Sequence, residues 1–176
     1  MISPRRLIFI DESGAKTNMT RLYGRAVKGQ RVYDSVPLGH WCTTTMVAAM
    51  GLEGPKAPFV FEGATNAETF RTYVKHILVP ELHPGDLVVM DNLSSHKSAD
   101  IQTMIRASGA ELLYLPPYSP DFNPIELMWS KIKAHLRKSK ARTWDALVQA
   151  IADALKTITT EDCIGWFKHC GYLYEY

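Results

Sequence analysis

Two unbroken hydrophobic runs, each closed by an acid, constrain this fold more than anything else in the chain: RLIFIDES at 6–13 and DLVVMDN at 86–92. A strand with one wet face alternates apolar and polar residues. One that is apolar at every position is buried on both faces, and so needs helices above and below. Period-two alternation puts Leu7, Phe9 and Asp11 on one side of the first strand and Ile8, Ile10 and Glu12 on the other. Asp11 and Glu12 therefore cannot both point into one site.

The stretches between these runs read in the same register. HWCTTTMVAAMG (40–51) predicts a strand, EGPKAP (53–58) a turn, and FVFEG (59–63) a short third strand. Phe70, Val74, Ile77 and Leu78 recur at helical spacing within 66–82, and Pro84-Gly85 punctuates the end. Ser94 or Ser95 can cap a helix running to Ser108, with Gly109 as its stop, and ELLYLPP (111–117) predicts a fifth strand. Two further helices are expected over 144–157 and 161–170. The segment at 20–32 is basic, holds Gly24 and Gly29, and reads as a hairpin or arm rather than core. The order implies an α/β fold: a five-stranded mixed sheet with helices on both faces.

Between the fifth strand and the next helix lies LPPYSPDFNPIELMWSKIK (115–133), where Pro116, Pro117, Pro120 and Pro124 each fix φ and remove a donor. Asn123 suits an N-cap, Pro124 the first helical position and Glu126 the third. The helix then carries an apolar stripe of Ile125, Met128, Trp129, Ile132 and Leu136. A rigid loop that delivers one carboxylate to a helix start is good capping chemistry; it is also a way to hold an acid still against a metal ion.

Composition narrows the classes. A chain of 176 residues, 46% hydrophobic, can build one domain with a sizeable core, and no apolar run reaches membrane-spanning length. Only Leu7 to Ile10 follow Arg5 and Arg6 before Asp11, too short for a signal-peptide core, so a cytoplasmic protein is expected. Three cysteines without a CxxC pair argue against a disulfide framework or a structural zinc site. His40 beside Cys42, and His169 beside Cys170, read as packing or surface residues. Net charge is only +2, yet seven basic residues fall within 1–33 and six within 131–142, the latter with no acid among them. Such blocks suit a polyanionic partner; a solvated helix face explains the second almost as well.

If the first and fourth strands are neighbours, Asp11 and Asp91 meet at their ends and Glu126 can close over them. Three converging carboxylates repel unless a cation lies between them, and hard divalent cations take oxygen ligands. Pattern alone leaves the plainer readings open: strand-end acids bonding loop amides, a capping-box partner for Asn123, or a role for Glu12, Asp86 or Asp121 instead.

The segments FIDESG, TRLYGRA, VVMDNLSSHKS and YLPPYSPDFNPIELMWSKIK, in this order, resemble the catalytic domain of the DDE transposases, in particular the mariner superfamily and its bacterial insertion-sequence relatives. Thirty-four residues separate Asp91 from Glu126, as between the second and third acids of that family. The resemblance implies an RNase H-like fold with Asp11, Asp91 and Glu126 as a metal-binding triad. It implies two Mg²⁺ ions, for which Mn²⁺ substitutes, and cleavage and strand transfer of DNA. Other implied readings are an RNase H-fold nuclease acting on RNA–DNA hybrids or junctions, and a catalytically inactive DNA-binding or assembly domain. Arg21, Arg25, Asn92, His96, Lys131 and Lys133 are the expected DNA-contacting residues. Family members carry helix-turn-helix modules ahead of the catalytic domain, and Asp11 lies too early for one here. A single domain over 1–176 is therefore expected, working as a homodimer on double-stranded DNA beside the bacterial nucleoid, with end recognition supplied by a separate upstream-frame polypeptide.

Overall fold

The computed structural model describes residues 3–38, 41, 43–93 and 96–173. His40, Cys42, Ser94 and Ser95 lie outside them. Five strands form one sheet: β1 (Leu7–Lys16), β2 (Thr43–Gly51), β3 (Gly54–Glu62), β4 (Leu87–Met90) and β5 (Glu111–Tyr114), in the order β3-β2-β1-β4-β5. β1 pairs antiparallel with β2 and parallel with β4. β1 and β4, the two runs apolar at every position, are thus neighbours inside the sheet, as their composition requires.

The two faces of β1 are covered by different helices. Leu7 and Phe9 pack with α3 (Ile125–Ser139), α4 (Trp144–Lys156) and α5 (Thr160–His169). Ile8 and Ile10 pack with α1 (Ala67–Tyr73) and α2 (Ala99–Ala107). The expected stripe of α3 is its buried set, and Trp129 is 2% exposed, a packing residue that fixes this helix against the sheet.

Three elements differ from expectation. β3 starts at Gly54, not at Phe59, because Leu52 and Glu53 make a two-residue hairpin turn between the paired Gly51 and Gly54. Pro55 and Pro58 lie within it; an edge strand tolerates proline on the side without a ladder partner. The helix expected over 66–82 is α-helical only to Tyr73 and continues as a π turn (Val74–Leu78) and a 3₁₀ turn (Val79–Glu81). α2 starts at Ala99, later than a serine cap at 94 or 95 implies, because the chain after Asp91 is committed to local turns: Asp91 Oδ1 accepts from the Leu93 amide at 3.2 Å, and the His96 amide donates to the Leu93 carbonyl at 3.1 Å.

Residues 17–38, which follow β1, form no helix or strand and lie largely exposed. Arg142 donates to the carbonyls of Thr17 and Met19 at 3.0 Å, and Lys140 reaches Asp34 at 2.5 and 2.6 Å. The α3–α4 turn thus anchors this arm.

Candidate active site

The register of β1 on β4 pairs Leu7 with Leu87 and Ile10 with Met90, so one further step along both strands sets Asp11 level with Asp91. Parallel neighbours lie about 4.8 Å apart. The carboxyl ends of these strands open onto the proline-rich loop and the start of α3. There Asp11, Asp91, Asn92, Asn123 and Glu126, with Leu115–Pro120, line one cavity of about 370 Å³. A second cavity, of about 300 Å³, lies on the other side of Glu126 and is lined by Asp121, Leu127, His169 and Cys170 among others.

Asp11 is 8% exposed. Burial, above all, and then the Glu126 carboxylate push its pKa up to about 7; Glu12 and Asp91 add to the rise, and a hydrogen bond from the Glu12 amide offsets part of it. Among the described residues no three His, Cys, Asp or Glu side chains are gathered closely enough to enclose a metal ion. The three acids share the walls of one cavity rather than a common point.

Asp91 is held from the side. His96 Nδ1 lies 2.5 Å from Asp91 Oδ1, and its Nε2 lies 3.1 Å from Glu12 Oε1. The ring is 1% exposed and stacks on Phe70 with 4.1 Å between centroids. Burial works against protonation of His96, but its bonds to the two carboxylates outweigh that and raise its pKa to about 9. Partial burial likewise pushes the Asp91 carboxyl up, and the hydrogen bond and charge of His96 bring it below the ordinary value.

Asn123 does not cap α3. Its side chain makes no capping bond, and its Oδ1 is buried without a hydrogen-bond partner beside Glu126. The helix start is closed by backbone instead, the Glu126 amide donating to the Asn123 carbonyl at 3.1 Å. The capping-box reading of Glu126 therefore falls, because the asparagine is turned inward. An oxygen-only donor set, one buried acid that resists ionisation and an orphaned carboxamide oxygen fit a hard divalent cation.

The other expected contact residues are scattered. Arg21 and Arg25 are exposed on the arm, in a groove with Tyr23, Tyr33 and Asp34. Asn92 is part of the main cavity. His96 is buried against Asp91. Lys131 binds Asp162 of α5 and the Thr157 carbonyl, which tie up its ammonium. Lys133 is half-buried on α3. Sequence pattern passed over Glu12 as a partner of His96, since nothing along the chain links positions 84 residues apart.

Residues 6–148 match the family described as DDE superfamily endonuclease. The chain is 28% identical over 89 residues to the Tc1 transposase of Caenorhabditis elegans, a match covering 51% of this chain and 33% of that protein. It is 30% identical over 76 residues to the Tcb2 transposase of Caenorhabditis briggsae, covering 37% and 28%. The matches thus span about a third of these relatives' length. The fold is similar to the catalytic domain of Mos1 mariner transposase, with TM-score 0.65 and 13% identity over 94% of this chain and 77% of that one. A Mos1 paired-end complex with the left transposon end gives TM-score 0.75 and 14% identity over 95% and 52%. One Mos1 paired-end complex contains Mn and matches at TM-score 0.71 and 16% identity, over 94% and 52%. With its mixed sheet in the order 3-2-1-4-5, the fold is RNase H-like, as in the Mos1 catalytic domain.

Proposed function

Because this chain belongs to the DDE superfamily endonucleases and is related to the Tc1/mariner transposases, we propose that it is a transposase catalytic domain that cuts DNA and joins the freed 3′ end to a target, with Asp11, Asp91 and Glu126 holding two Mg²⁺ ions. The observation that carries this reading is the shared cavity: three acids from β1, the end of β4 and the start of α3 line its walls. Divalent cations held there would supply positive charge to polarise the scissile phosphate and stabilise the attacking and leaving oxygens.

The protein's own groups do the rest. Burial and the Glu126 carboxylate make Asp11 hard to ionise, and a cation held at the cavity would favour its ionised form. His96 keeps Asp91 from swinging towards solvent. The proline-rich loop restricts how the start of α3 can move, which keeps Glu126 at the cavity wall. Arg21, Arg25, Asn92 and Lys133 contact backbone phosphates; Lys131 serves the α3–α5 packing instead. The Mos1 structures described as paired-end complexes support two copies working on two DNA ends, and Mn²⁺ replaces Mg²⁺.

Incubation of the full chain with supercoiled DNA tests the assignment. Asp91→Asn should leave the circular dichroism spectrum intact and abolish nicking in either metal. Nicking by that variant would refute the triad, and a preference for RNA–DNA hybrid would point to a different nuclease on the same fold.

A further inference from the structure

We infer that Glu12 is a positioning residue for Asp91, acting across the end of the sheet through His96; this rests on the reading that Asp91 binds the catalytic cation. β1 sends Asp11 to the cavity and Glu12 to the opposite face, outside the cavity lining. The segment that follows β4 brings it back. His96 Nε2 lies 3.1 Å from Glu12 Oε1 while Nδ1 lies 2.5 Å from Asp91 Oδ1, so one imidazole is clamped between an acid of the central strand and an acid of the site.

Contacts on the ring and on its backbone hold it in place. It lies on Phe70 at an interplanar angle of 27°, and the Tyr114 hydroxyl donates to the His96 carbonyl at 3.0 Å. Both contacts to Asp91, from His96 and from the Leu93 amide, fall on Oδ1, so the second oxygen would be the one open to a cation. Removing Glu12 leaves one ring nitrogen buried without a partner, and a buried unmet polar atom favours any ring position that reaches water. The ring then leaves Asp91, and its carboxylate gains rotational freedom. Groups that orient a metal ligand from behind typically change affinity about 10–100-fold when removed. Asp11 and Asp91 are therefore aimed by one strand end, the first directly and the second through Glu12 and His96.

Mn²⁺ binding to the full chain, followed by the free-ion electron spin resonance signal, tests this alongside metal-free melting and the low-field ring N–H signal of His96. Glu12→Ala should weaken Mn²⁺ binding at least about tenfold and shift the His96 signal. Glu12→Gln should recover most of the affinity, since an amide can meet the ring nitrogen as donor or acceptor. Binding by Glu12→Ala equal to wild type overturns the inference. So does affinity that falls only in step with metal-free melting temperature in both variants, which marks Glu12 as a packing residue. A wild-type chain that binds no Mn²⁺ removes the cation reading itself and this inference with it, an outcome distinct from either.

Discussion

Asp11 is the side chain where folding and chemistry pull in opposite directions. Burial and the neighbouring Glu126 raise its pKa from 3.8 to about 7, so the folded protein holds this proton more tightly than the unfolded chain does. The stability that Asp11 contributes to the cation-free protein is fully present below pH 3.8 and is lost as pH climbs from 3.8 to about 7. Asp11→Asn removes the cost of ionising the buried acid. Urea unfolding in chelator should find the variant more stable than wild type at pH 8 by roughly 2–4 kcal/mol, and no different near pH 4. A variant no more stable at pH 8 would show that Asp11 is not strained by its surroundings. Residue chemistry was only partly readable from sequence. Strand alternation separated Asp11 from Glu12, whereas Asn123 had the identity of a cap but not the orientation of one, because its side chain is sequestered inside the loop.

At the scale of elements, the site depends on where strands and helices stop. α2 ends at Ala107 and its cap Ser108 is followed by Gly109, whose φ of +83° is left-handed and whose carbonyl receives the Gly85 amide at 2.8 Å. A Cβ there would stand 3.1 Å from Pro84 Cα and Cβ, so alanine meets both an unfavourable backbone conformation and a rigid neighbour. Gly109→Ala should destabilise by roughly 1–3 kcal/mol in chemical denaturation, with nicking activity per folded molecule unchanged. Equal stability would mean that the Pro84–Gly85 turn yields. Helix ends of this kind were legible because glycine and proline act locally. The start of α2 was not, because Asp91 and His96 hold the chain in turns that no propensity foretells.

For the whole molecule, net charge says little and its distribution says more. The exposed arm carries Arg21 and Arg25, and Lys140 and Arg142 anchor it to the α3–α4 turn. Affinity for duplex DNA should fall linearly on a log–log plot against salt, and the double variant Arg21→Ala, Arg25→Ala should reduce that slope by about 2. An unchanged slope, measured by fluorescence anisotropy, would remove the arm from the DNA interface.

Local chemistry determined a good deal by itself: two strands buried on both faces, the apolar stripe of α3, the opposition of Asp11 and Glu12, and three acids at element ends. Those follow from side-chain periodicity and backbone propensity, which act over a few residues. Tertiary structure alone decided that β1 lies beside β4, that one cavity joins three acids, and that Glu12 re-enters the site through His96. Periodicity sets the direction of a side chain, but the partner it meets depends on which strand packs alongside, and that is settled only when the sheet closes.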